Sequence, residues 1–156
     1  MKNKIIMLIC ATLVCVSISA QKMTIDKVPA PVASAFKSKY PEVIKANWRM
    51  EDGKNYVAEF KMNEVVQHAT FNSSGGWLKT ETPIKVSELP TAVTGTISKE
   101  FSGYTIQEAS KMENADHGHG YDVEIAKGKD MKDVTLSSKG VVMSQGPHQG
   151  NEVKAD

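Results

Sequence analysis

The feature that most constrains the fold of this chain is a pattern stated twice. Val28, Pro29, Val32, Phe36 and Tyr40 recur 61 residues later as Leu89, Pro90, Val93, Ile97 and Phe101. Tyr56, Ala58, Glu59, Phe60, Ala69, Phe71 and Gly75 recur 65 residues later as Tyr121, Val123, Glu124, Ile125, Val134, Leu136 and Gly140. In each copy apolar residues first repeat every three or four positions, the stripe of a helix. They then repeat every two, the alternation of strands. Two copies are too few for a solenoid. They predict an α+β fold: a tandem duplication of a helix followed by a four-stranded antiparallel β-sheet, with the helices packed on one sheet face.

The first helix is expected from about Pro29 to Lys39, because proline suits a first helical turn and Pro41 disfavours helical geometry at Tyr40. Strands follow over about 44–51, 55–62, 65–72 and 77–82, the last ending before Pro83. Asp52-Gly53 and the run Asn72-Ser73-Ser74-Gly75-Gly76 carry turn chemistry. Ser87 is placed to cap the second helix, with Pro90 in its first turn. Strands are then expected over 105–113, 121–127, 131–137 and 141–144, with residues 114–120 forming a loop.

Residues 1–20 read as a secretory signal peptide: Lys2 and Lys4, a short apolar run from Ile5 to Val16, then Ser17-Ile18-Ser19-Ala20. The run is shorter than the roughly 20 residues that span a bilayer. The expected division is a signal peptide at 1–20, a first α+β repeat at 21–82, a second at 83–144 and a disordered polar tail at 145–156. The expected location is the periplasm or the exterior, with no membrane anchor after cleavage. Both cysteines, Cys10 and Cys15, lie in the leader, so the mature chain has no disulfide and no thiolate nucleophile or ligand. It carries 17 basic against 18 acidic residues. That balance makes no electrostatic case for nucleic acid or an anionic membrane surface.

No Gly-x-Ser-x-Gly elbow, P-loop or Gly-x-Gly-x-x-Gly occurs, so neither an enzyme nor a cofactor is expected. The densest polar cluster is Asp116-His117-Gly118-His119-Gly120-Tyr121-Asp122. Asp116, His117, His119 and Asp122 could hold zinc or copper; the other reading is a solvated hairpin loop with glycines for turn geometry. Strand alternation sends Arg49, Glu59, Lys61, His68 and Lys79 to the face that the helices do not cover, together with Trp77 if Leu78 faces the helix. An aromatic ringed by charges suits protein recognition; alternatively, Trp77 packs under a loop or against the second repeat.

The blocks VPAPVASAFKSKYP, Trp48 followed by Glu51, YVAEF, FNSSGGWLKTE and the second LP resemble the PepSY-like, β-lactamase-inhibitor-like (BLIP-like) proteins of Bacteroidetes. The resemblance runs from about Val28 to Met143. It implies a tandem helix-plus-antiparallel-sheet fold and residence in the cell envelope. The resulting expectation is an exported, non-catalytic module that binds an envelope protein or peptide through its open sheet surface. Inhibition of an envelope enzyme is one version of that activity. The alternative is a periplasmic metal-binding protein using the Asp116–Asp122 loop.

Overall fold

The structure, a computed structural model, describes residues 22–148; the expected signal peptide lies outside them. The elements in order are β1 (Lys22–Met23), a 3-10 turn (Ile25–Lys27), α1 (Ala30–Lys39), β2 (Ala46–Glu51), β3 (Asn55–Met62), β4 (Val65–Asn72) and β5 (Trp77–Ile84). A second 3-10 turn (Val86–Glu88), α2 (Thr91–Glu100), β6 (Thr105–Asn114), β7 (Gly118–Lys127), β8 (Asp130–Ser137) and β9 (Val142–Pro147) follow. No helix among the described residues is long and apolar enough to cross a membrane.

The expected α+β pair of helix-plus-four-stranded-sheet units is not what the chain forms. The described residues build one continuous nine-stranded antiparallel sheet in sequence order, with two short helices, and are mostly β. The reason lies at Pro83. Proline removes a backbone donor, and on that ground the strand was expected to stop. Instead β5 runs through it to Ile84 and pairs with β6 from Lys79↔Asn114 to Ile84↔Ala109. β4 pairs with β5 only as far as His68↔Glu81. Pro83 therefore sits where β5 has a single neighbour, which a proline tolerates. Joining β5 to β6 removes two strand edges whose unpaired backbone groups would otherwise be exposed.

Three further boundaries differ from expectation. Residues 118–120 belong to β7, so the Asn114–Gly120 segment mostly lengthens a hairpin rather than forming a loop. β9 continues to Pro147, pairing Val134↔Gln145, Asp133↔Gly146 and Lys132↔Pro147, so the first residues of the expected tail are strand. Ser87 lies inside the 3-10 turn, and the residue capping α2 is Pro90.

Cross-strand partners share a face, so the register shows which residues stand together. Ala58↔Ala69↔Thr80↔Glu113↔His119 and Ile84↔Ala109↔Val123↔Val134 run along the same face. Both helices cover this face. Val32, Phe36 and Tyr40 pack on Trp48, Ala58, Phe60, Ala69 and Phe71. Val93 and Ile97 pack on Ala109, Val123, Ile125, Val134 and Leu136. Phe36 is the hub of the first cluster, with ring centroids 5.2 Å from Trp48, 5.2 Å from Phe60 and 5.3 Å from Tyr40. Helices of ten residues are marginal alone, so this packing holds them. Each fully buried large side chain adds roughly 1.5–3 kcal/mol.

Glycine fixes how closely each helix meets its sheet. Gly75 has φ +86°, and a Cβ there would lie 2.6 Å from the Pro31 carbonyl oxygen. Gly140 has φ +77°, and its Cβ would lie 2.3 Å from the Ala92 carbonyl oxygen. Both glycines permit a left-handed turn pressed against the first turn of a helix.

Candidate functional site

The second face of the sheet is polar and concave. Arg49 and Glu51 of β2 and Ser144–Pro147 of β9 line one cleft of about 380 Å³, together with residues of β4 to β8. The sheet thus bends until strands from both ends reach the same depression. Among the described residues lining it are seven carboxylates, two histidines and two fixed cations, Arg49 and Lys79.

Both cations are engaged. Arg49 lies 3.7 Å from Glu51. Lys79 lies 3.0 Å from Glu81 and 3.4 Å from Asp122, and Thr135 Oγ1 donates to Asp122 Oδ1 at 2.6 Å. Burial disfavours the Lys79 charge, but Glu81 and Asp122 outweigh it and raise its pKa, so the ammonium stays charged. Burial pushes the Glu81 carboxyl up to about 7, against the pull of Lys79, and the Asp122 charge adds to the rise.

His68 is 3% exposed, with Nε2 3.5 Å from Glu59 Oε2. Burial and the Arg49 charge lower its pKa, and Glu59 only partly offsets them, so the ring favours the neutral form. Glu59 is held below the usual carboxylate range, chiefly by the Asn47 side-chain hydrogen bond of 3.0 Å. At the other end of the cleft His148 Nδ1 lies 2.8 Å from Asp133 Oδ1 and 3.5 Å from Glu124 Oε2. Burial works against its charged form, but the Asp133 hydrogen bond and charge, with Glu124, raise its pKa.

The register puts Arg49, Glu59, His68 and Lys79 on this face. Lys61 shares it but lies toward the β3–β4 hairpin tip, 2.6 Å from Glu64. Trp77 does not join them. The sheet register shifts between Thr70 and Phe71, so Thr70 pairs with Lys79 while Phe71 pairs with Trp77. Leu78 is the extra residue of this bulge. Trp77 therefore lies on the helix side, packed against the first core, with Nε1 donating to Thr80 Oγ1 at 2.9 Å. Thr80 in turn hydrogen-bonds the Tyr40 hydroxyl.

The four residues of the histidine segment are not brought together. Asn114 Oδ1 accepts from the backbone N–H groups of Asp116 and His117, an ordinary turn lock. His119 pairs with Glu113 on the helix face and lines a separate cleft of about 490 Å³ beside Tyr40 and Lys111. Asp122 points to the opposite face, where it holds Lys79 and Thr135. Among the described residues, the set whose ligand atoms converge is Glu124, Asp133 and His148, all within 4.8 Å of one another. Sequence reading missed it because only strand pairing joins these positions.

A family model for PepSY-like, beta-lactamase-inhibitor-like proteins matches residues 54–144, more than half of the chain. The chain belongs to this PepSY-like family. Solved structures share its fold. A DUF2874 family protein from Bacteroides uniformis is 23% identical with a TM-score of 0.63, over 80% of this chain and 92% of the other. One from Bacteroides ovatus is 21% identical with a TM-score of 0.62, over 76% and 86%. A BLIP-like protein from Bacteroides fragilis is 20% identical with a TM-score of 0.60, over 81% and 92%. No curated protein matches the chain.

Proposed function

We propose that this PepSY-like chain is an exported, non-catalytic binding module of the cell envelope whose concave sheet face receives a basic segment of a protein or peptide. The observation that carries this reading is the charge of the cleft: seven carboxylates against two fixed cations, which pair with three of them, Glu51, Glu81 and Asp122. Such a surface steers cationic partners and selects against acidic ones. A structural relative from Bacteroides eggerthii, 24% identical, is described as periplasmic, which agrees with an envelope location. Inhibition of an envelope enzyme is one form the binding can take.

The test is capture from envelope extract by the immobilised protein, compared between the parent and a Glu108→Lys/Ser144→Lys variant. Both positions are exposed in the cleft and outside the two apolar cores. The expected result is a specific protein that the parent retains at low salt, that raised salt releases, and that the folded variant fails to retain. Equal capture by parent and variant overturns the reading.

A further inference from the structure

The end of the cleft formed by β6, β7, β8 and the residue after β9 holds a second feature, built from three of the same carboxylates. Glu108, Glu124 and Asp133 stand directly opposite one another on three adjacent strands, in the register Glu108↔Glu124↔Asp133↔Gly146. Like charges directly opposite across a sheet are unfavourable. The group inserted beside this acidic row is the His148 ring, whose backbone N–H is tied to the Met131 carbonyl at 3.0 Å.

We propose that Glu124, Asp133 and His148 form a binding site for a divalent transition-metal ion of the zinc class. The Nδ1 atom lies 2.8 Å from Asp133 Oδ1 and 3.5 Å from Glu124 Oε2, and the three ligand atoms all fall within 4.8 Å. Donors set about 2.1 Å from one tetrahedral ion stand roughly 3.4 Å apart, so small side-chain rotations complete the set. Two ligands rise from paired strands, which hold them more precisely than a loop would. Glu124 and His148 are largely shielded, with side chains 14% and 13% exposed. All three residues line the cleft, from which water or a partner group can supply a further ligand. The imidazole decides the class of metal. Calcium and magnesium take shells of oxygen, whereas one nitrogen and two carboxylates suit zinc and its neighbours.

The purified protein is titrated calorimetrically with zinc chloride, and with cobalt(II) followed by visible absorption. One ion per chain is expected, with a cobalt spectrum that develops on binding. His148→Ala and Glu124→Gln should each weaken zinc by more than the 10- to 100-fold that losing a supporting hydrogen bond costs. His117→Ala/His119→Ala should leave zinc affinity unchanged. The site is overturned if the parent binds no zinc, if His148→Ala and Glu124→Gln, each folded by circular dichroism, bind like the parent, or if the His117/His119 variant loses the ion. It is equally overturned if calcium binds as tightly as zinc and His148→Ala makes no difference. None of these readouts involves the protein partner, so this site and the proposed function succeed or fail separately.

Discussion

The Lys39 ammonium lies 3.7 Å from the centroid of the Trp77 ring. The last turn of α1 thus lays a cation over the aromatic that opens β5, at a distance where the ring face attracts it. With the indole N–H on Thr80 and the ring against the first core, Trp77 is a structural residue of the helix side.

Trp77→Ala should therefore lower stability, by about 2–4 kcal/mol, since the ring is part-buried. Phe36→Ala, at the centre of the aromatic cluster, should cost about 3–5 kcal/mol. Urea unfolding of the three proteins checks both values. A Trp77→Ala protein as stable as the parent would show that the indole contributes nothing to the core.

Gly140→Ala should destabilise more than a positive φ alone explains. Its Cβ would meet the Ala92 carbonyl oxygen at 2.3 Å, so α2 must shift on the sheet. Gly128 has φ +62° but no atom within 4 Å of its Cβ position, which isolates the backbone term. The expected costs are about 1 kcal/mol for Gly128→Ala and at least about 2 kcal/mol for Gly140→Ala. Thermal midpoints of the two variants decide it: equal shifts would mean that the helix yields freely.

Acidification should weaken the fold through His68. Burial and Arg49 lower its pKa, so the unfolded chain takes up this proton near pH 6.5 and the folded chain only at lower pH. The contribution is fully present above pH 6.5 and is lost as the pH falls through the folded value. His148, whose pKa is raised, works in the opposite direction: its contribution is present below pH 6.5 and fades as the pH rises through its folded value. Comparing the parent with His68→Gln between pH 7.5 and 5 separates them. The parent should lose stability relative to the variant with a slope of at most about 1.4 kcal/mol per pH unit. Parallel curves would mean that His68 titrates alike in both states.

The elements that were legible in the sequence are those set by unbroken local periodicity. The β3–β4 hairpin lies at 55–62 and 65–72, as the alternation of Tyr56, Ala58, Phe60 and Met62 and then of Ala69 and Phe71 demands. The stripes Val32/Phe36/Tyr40 and Val93/Ile97/Phe101 do mark the faces that α1 and α2 turn to the sheet. What could not be read depends on pairing between strands. Pro83 looks like a stop until β4 is seen to end pairing before it. Trp77 changes face because Leu78 is the extra residue of a bulge, and Val142 is brought to the second core by a similar shift after Thr135. His117 and His119 stand out in the sequence because only Gly118 separates them. The converging ligands are instead separated along the chain and united by the β7–β8 register and the run of β9.

The sequential order of the sheet bears on how the molecule is made. From β2 to β8 every strand pairs with the strand before it and the strand after it. Such a meander keeps interacting segments close along the chain, so loop closure costs little entropy and folding is fast for a sheet protein. No early strand waits for a late one. A polypeptide arriving N-terminus first can add each strand to the edge its predecessor has just created. The edge still open when β8 is laid down is the one β9 closes, and His148 follows directly behind it. The acidic end of the cleft is therefore the last part to be assembled, completed only after the rest of the sheet stands.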